Sequence, residues 1–227
     1  MQTIPMNVAE NFHSIRARID AAAARAGQPV RLLAVSKTQP AEAVAAVAAL
    51  GQRAFGENYV QEALAKRAEL VSLGLEWHAI GPLQSNKARD VAHHFDWLHS
   101  VDRLKLVEPL SRHRPGTLPP LQVLIQVNID DEASKSGCAP EEIATIAEAI
   151  EKASGLALRG LMTIPAPADT ERRRAAFVCM RGLFEALRAA HPSVDTLSMG
   201  MSDDFELAIA EGANLVRIGS ALFGPRR

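Results

Sequence analysis

The chain has 227 residues and a formal net charge of −1, with 25 Lys and Arg against 26 Asp and Glu. That balance leaves no electrostatic footprint for nucleic acid or for an acidic membrane surface. The two cysteines, Cys138 and Cys179, have neither metal-ligand spacing nor the number of a disulfide framework. No apolar run is long enough to span a bilayer, and the opening MQTIPMNVAEN lacks the basic-then-apolar pattern of a signal peptide, so a cytoplasmic protein is expected.

Period and punctuation set out the elements in chain order. Residues 7–26 read as a helix: Asn7 can cap it, Glu10 follows three positions later, and Val8, Phe12, Ile15 and Ile19 share one face. Gly27 ends it. A short apolar strand over 31–36 precedes an alanine-rich helix opened by Pro40 and stopped at Gly51. A strand over 53–56 leads to a helix over 59–73, closed by Gly74. Strands follow at 76–80 and 96–100, with helices at 85–94 and 102–113. Residues 121–128, rich in Val and Ile, form the clearest strand, followed by a helix opened by Pro140. A strand over 157–162, a long helix over 170–190, a strand over 195–198, a helix over 203–211 and a last strand over 214–218 complete the chain.

Strict alternation of strand and helix implies a parallel sheet. Eight such units in one chain of this length fit a single (β/α)8 TIM barrel spanning 1–227, the extra N-terminal helix serving as the eighth of the ring. A doubly wound open sheet is the alternative. In a barrel the chemistry lies at the C-terminal ends of the strands. Polar and glycine residues concentrate there: Ser36-Lys37-Thr38, Gly56-Glu57-Asn58, Ser198-Met199-Gly200-Met201-Ser202 and Arg217-Ile218-Gly219-Ser220.

The loops after the seventh and eighth strands suit an anion, with Gly219 for close backbone approach and Ser202 and Ser220 for hydroxyls. Asp203 and Asp204 oppose an anion there unless they serve the helix start, and Ser202 is equally readable as an N-cap. Lys37 is either a solvated loop lysine or an amine desolvated enough to attack an aldehyde. Arg217 is either paired with a carboxylate in the barrel or a permanent donor toward a bound ring. His78 reads as a hydrogen-bonded structural residue, since no Ser or Cys nucleophile is placed for it. His93 and His94 lack the further ligands of a metal site.

The segments AVSKT (34–38), FGENYVQE (55–62), WHAIGPLQSNK (77–87), QVN (126–128), KSG (135–137), GLMTI (160–164), LSMGMSDDFELAI (197–209) and VRIGSALFG (216–224) together carry a family signature. Through them the chain resembles the pyridoxal-phosphate homeostasis proteins, which have an alanine-racemase-like N-terminal barrel. The resemblance implies that Lys37 holds pyridoxal 5′-phosphate (PLP) as a Schiff base and that Asn58 lies near the ring. It assigns Ser202, Gly219 and Ser220 to the phosphate and Arg217 to the ring nitrogen. Ser220 stands where threonine is usual in that family, and either residue offers a hydroxyl.

Alanine racemases draw one of their two bases, a tyrosine, from a second domain. This chain has a single tyrosine, Tyr59, in a helical segment. The implied function is therefore PLP homeostasis without catalytic turnover, holding the cofactor and delivering it to apo PLP-dependent enzymes. A PLP-dependent racemase is the alternative, and a cofactor-free aldolase with a Schiff-base lysine is a third. Lys87 and Lys135 are expected to be solvated lysines, and the chain a monomer.

Overall fold

The computed structural model describes residues 6–130 and 136–224. Its strands are β1 (Arg31–Val35), β2 (Ala54–Glu57), β3 (Glu76–Ala79), β4 (Trp97–Val101), β5 (Leu121–Gln126), β6 (Leu156–Met162), β7 (Thr196–Ser198) and β8 (Leu215–Ile218). They pair in parallel in chain order, and β1 closes on β8 with Leu33 opposite Arg217 and Ala34 opposite Ile218. That closure excludes the open sheet. It also brings the first and last strand ends together, which the site requires.

Helices α1 (Met6–Ala26), α2 (Ala41–Ala49), α3 (Val60–Glu69), α4 (Ala88–His94), α5 (Val107–His113), α6 (Ile143–Lys152), α7 (Thr170–Ala190) and α8 (Phe205–Ala210) surround the barrel, and α9 (Ser220–Phe223) follows the last strand. The apolar stripe of α1 is buried as its spacing predicts, with Ile15 3% and Ile19 0% exposed. Each such aliphatic side chain contributes about 1.5–3 kcal/mol relative to exposure. α1 packs on α8 and α9, taking the place of an eighth helix.

Several local expectations are corrected. α1 already includes Met6, so Asn7 lies inside the helix and is no cap. The helices expected from 85, 102 and 140 open with 3-10 turns at Ser85–Lys87, Leu104–Leu106 and Pro140–Glu142. α8 starts at Phe205, not 203, because the Asp204 carboxylate accepts from the Met201 N–H at 2.7 Å and ties the preceding residues into a turn. A one-turn helix, α9, stands where none was expected, closed by the Gly224 N–H donating to the Ser220 carbonyl at 3.0 Å.

Strand alternation divides the buried residues into two layers. One set, including Leu32, Ala34, Phe55, Trp77, Leu98, Val123, Ile125, Leu161, Leu197, Val216 and Ile218, belongs to the large cluster shared with the helices. The other faces the barrel interior in two separate apolar clusters, Leu33–Ala54–Leu215 and Trp97–Leu124–Met162. His78, His99, Ser198 and Arg217 are buried polar residues of the same strands. An interior that is polar along one line has a cost, and the hydrogen bonds described below offset it.

Candidate functional site

A cavity of about 260 Å³ opens at the C-terminal ends of β1, β7 and β8. Its lining includes Lys37, Ser202, Arg217, Gly219 and Ser220, with Val35, Ile80 and Ile164 as apolar walls. Its size is close to the ~300 Å³ at the small end of ligand pockets. Sequence positions as far apart as 37 and 220 meet here because β1 pairs with β8.

The Lys37 side rests on a buried ion cluster. Lys66, on α3, is 4% exposed. Its Nζ donates to the Ser36 carbonyl at 2.7 Å, to Glu57 Oε1 at 2.8 Å and to Glu62 Oε1 at 2.6 Å. The Ser36 hydroxyl donates to the same Glu57 oxygen at 2.6 Å, and the Thr38 N–H donates to Glu62 Oε1 at 2.6 Å. The backbone on both sides of Lys37 is thus held by one cluster. Thr38 has φ 64°, a left-handed conformation that is unfavourable for a β-branched residue, and the Glu62 contact holds it there. Burial pushes the Glu57 carboxyl up, while hydrogen bonds from Lys66 and Ser36 pull the other way.

The opposite wall is built from the turns after β7 and β8. Gly200 sits at φ 92°, and a Cβ on it would come within 2.6 Å of the Ala208 side chain, so only glycine fits. The turn leads to Ser202, whose hydroxyl is no N-cap. It accepts from the Ser220 hydroxyl at 3.3 Å and from the Ala221 N–H at 3.4 Å. The two hydroxyls therefore form one polar rim. A Cβ on Gly219 would press on the Val35 carbonyl at 3.2 Å, so the backbone at that position is bare toward β1. Of the two aspartates in the loop, Asp203 lines the cavity at an exposed position. Asp204 is buried and bonded to Arg173 and to the Met201 N–H.

Arg217 is 4% exposed and is not paired with a carboxylate among the described residues. Its guanidinium donates to Ser198 Oγ at 2.8 Å and to the Thr163 carbonyl at 2.8 Å. Burial lowers its pKa to about 10, against the opposing pull of Asp204, so it remains a cation at neutral pH. Behind it a polar line continues inward. Ser198 Oγ lies 3.3 Å from His99 Nδ1, and His99 Nε2 lies 2.9 Å from His78 Nδ1. His78 Nε2 lies 2.6 Å from Glu76 Oε1, which pairs with Arg31 at 2.5 Å. The His78 ring stacks on Trp97 at 5.3 Å and 6°. Burial lowers both histidines, His99 the more strongly. Burial pushes Glu76 up, but His78 and Arg31 outweigh it and hold it at about 2.

Five of the six site residues expected from sequence thus share one cavity. Asn58 does not line it. It follows β2, half-buried, with its backbone against Gly81, where a Cβ would meet the Asn58 carbonyl at 2.5 Å. Lys87 lies apart, 38% exposed and 3.9 Å from Asp90. Lys135 falls outside the described residues. His78 is hydrogen-bonded, as its structural reading requires, but His99, Ser198, Thr163, Lys66 and Glu62 went unseen as partners. Alternation along β3 and β4 could have found the histidine pair, since His78 and His99 each stand two residues from another member of the inner face, Glu76 and Trp97. Chemically, the cavity offers an amine for a carbonyl, a fixed cationic donor, and hydroxyls beside a glycine for an oxyanion. Among the described residues no cluster of three or more His, Cys, Asp or Glu could hold a metal ion.

Comparison with known proteins adds a second line of observation. The model of the family described as alanine racemase, N-terminal domain, matches residues 11–227. The Pyridoxal phosphate homeostasis protein of Pseudomonas aeruginosa is 57% identical over 223 residues, 96% of each chain. That of Escherichia coli K12 is 52% identical over 228 residues, 97% of each chain. The structure of PipY from Synechococcus elongatus PCC7942 with PLP bound matches with a TM-score of 0.84 and 39% identity, covering 96% of this chain and 100% of that one.

Proposed function

The chain belongs to the pyridoxal phosphate homeostasis protein family, built on the alanine racemase N-terminal barrel, and we propose that it holds PLP in the cavity at the ends of β1, β7 and β8 without catalytic turnover. The observation that carries the reading is the meeting of Lys37, Arg217 and the Ser202–Ser220 hydroxyl pair in one cavity. PLP supplies an aldehyde that a lysine amine captures reversibly as a Schiff base.

In this reading Lys37 is the capturing amine, presented by backbone that Lys66 and Glu62 hold on either side. Ser202, Ser220 and the Gly219 backbone receive the phosphate. Asn58 lies off the cavity lining, and its place near the ring rests on the family resemblance alone. Arg217, a cation that lines the cavity, would donate to the ring nitrogen and leave that nitrogen without a proton. A ring so held is a weak electron sink, which supports storage over carbanion chemistry. Val35, Ile80 and Ile164 exclude water from the ring face. Tyr59 is 59% exposed and does not line the cavity, so it offers no second base. Asp203 is the one carboxylate among the described lining residues, and it stands in solvent at the rim.

The test is direct. Purified protein mixed with PLP should gain visible absorbance, and borohydride followed by peptide mapping should place the label on Lys37. Protein that takes up no PLP, or a label on another lysine, would sink the proposal. Delivery is tested by timing reactivation of an apo PLP enzyme with loaded protein against free PLP. Rapid α-proton exchange of an amino acid in deuterated water would overturn the non-catalytic part and favour a racemase.

A further inference from the structure

We propose that the buried line Ser198–His99–His78–Glu76 is a positioning device for Arg217, a hydrogen-bond chain with a single orientation that runs from the cavity to the other end of the barrel. The proposal rests on the cofactor reading above for its consequence, but its hydrogen order follows from the protein alone.

The Glu76 end fixes the order, because its carboxylate, paired with Arg31 and held ionised, can only accept. Arg217 gives one N–H to Ser198 Oγ. The hydroxyl hydrogen of Ser198 then has His99 Nδ1 as its acceptor at 3.3 Å. His99 must carry its proton on Nε2 and donate to His78 Nδ1, 2.9 Å away. His78 in turn carries its proton on Nε2 and donates to Glu76 Oε1 at 2.6 Å. Every donor is matched with both imidazoles neutral, as their burial favours.

The reverse order fails at the far end. With His99 protonated on Nδ1, its Nε2 would accept from His78 Nδ1–H. A neutral His78 would then turn a bare Nε2 lone pair on a carboxylate oxygen 2.6 Å away. Only a charged imidazolium would relieve that clash, and His78 is fully buried, 0% exposed.

The consequence falls on Ser198. Its hydrogen is committed to His99, so a lone pair faces Arg217 permanently. The second arm of the guanidinium is fixed by the Thr163 carbonyl, and Thr163 is itself tied by its hydroxyl to the Val127 carbonyl at 2.9 Å. With two N–H groups fixed on the protein, the remaining donors of this cavity-lining residue are aimed without further loss of freedom. His99, His78 and Ser198 are positioning residues in this scheme and touch no ligand.

Two measurements test it. In the cofactor-free full chain, ¹⁵N NMR of the ring nitrogens should show His78 and His99 as neutral Nε2–H tautomers at neutral pH, assigned by His78→Phe and His99→Phe. An Nδ1–H tautomer or an imidazolium on either ring overturns the order. In the loaded protein, Ser198→Ala should shift the visible absorption maximum and weaken PLP and phosphate-free pyridoxal alike, by roughly tenfold. A folded Ser198→Ala protein with unchanged spectrum and affinity overturns the positioning role. Failure of the unmodified protein to take up PLP would instead strike the cofactor reading, leaving the tautomer result to stand or fall alone.

Discussion

Two buried cations, Lys66 and Arg217, flank the cavity from opposite sides, each 4% exposed. Lys66 is met by Glu57 and Glu62. Arg217 is met by a hydroxyl and a carbonyl, and its pKa falls to about 10 with no carboxylate bonded to it among the described residues. The contrast separates two uses of a buried charge. Lys66 is neutralised on the spot, so its charge is spent on fixing the backbone at Ser36 and Thr38. Arg217 is oriented but not neutralised, so its charge and its spare donors remain available to whatever enters the cavity.

Removing each charge while keeping the side chain's length should break the two sites differently. Lys66→Met leaves Glu57 buried without its cation and frees the strained Thr38 turn. Breaking a buried pair from one side costs about 3–5 kcal/mol, so the denaturation midpoint should fall sharply. Arg217→Met removes a charge bonded, among the described residues, to a hydroxyl and a carbonyl. Two neutral acceptors lose a donor while a desolvated cation disappears, so stability should change by at most about 2 kcal/mol. PLP affinity should fall much more than stability. Equal stability losses in the two variants would erase the distinction.

Acid should set the two sides against each other. His78 and His99, on the Arg217 side, have folded pKa values below the ordinary 6.5 because of burial. Their contribution is present above 6.5 and is lost as pH falls below it toward their folded values, because unfolding then takes up protons. Glu57, on the Lys66 side, has its folded pKa raised by burial above 4.5. Its contribution runs the other way and grows as pH falls through that raised value. Two histidines oppose one carboxyl, so stability should fall as pH drops below 6.5. Glu57→Gln should steepen the drop and His99→Phe should flatten it. A urea midpoint that holds level or rises over this range would contradict a neutral buried pair.

The sequence made one side of this comparison much more legible than the other. Glycine and proline punctuation with the regular strand spacing was enough for a closed barrel, and motif position placed Lys37, Ser202, Arg217, Gly219 and Ser220 at strand ends that do meet. Lys66 is not legible as the residue that fixes the backbone beside Lys37. On a helix a lysine is normally solvated, and only the packing of α3 on the β2 end turns this one inward. His99 is not legible as part of the site because it lies in mid-strand, away from the C-terminal strand ends that carry a barrel's chemistry. Helix starts drifted for a local reason: a carboxylate such as Asp204 can tie a turn instead of capping the helix, and composition does not separate the two.

The finest test concerns the anion side and asks whether Arg217 and the Ser202–Ser220 rim recognise different parts of one ligand. A side chain at Gly219 would push on Val35 at 3.2–3.3 Å and crowd the backbone beside Ser220. The φ of Gly219 is −120°, outside the left-handed region that favours glycine. Gly219→Val should therefore weaken PLP by about tenfold, roughly 1.4 kcal/mol. Phosphate-free pyridoxal, which lacks the group meant for that rim, should lose less. Ser198→Ala acts at the ring end and should weaken both equally. If the two variants gave the same ratio of losses, the cavity would not be divided between a ring donor and an anion rim, and Arg217 would have to be reassigned to the phosphate.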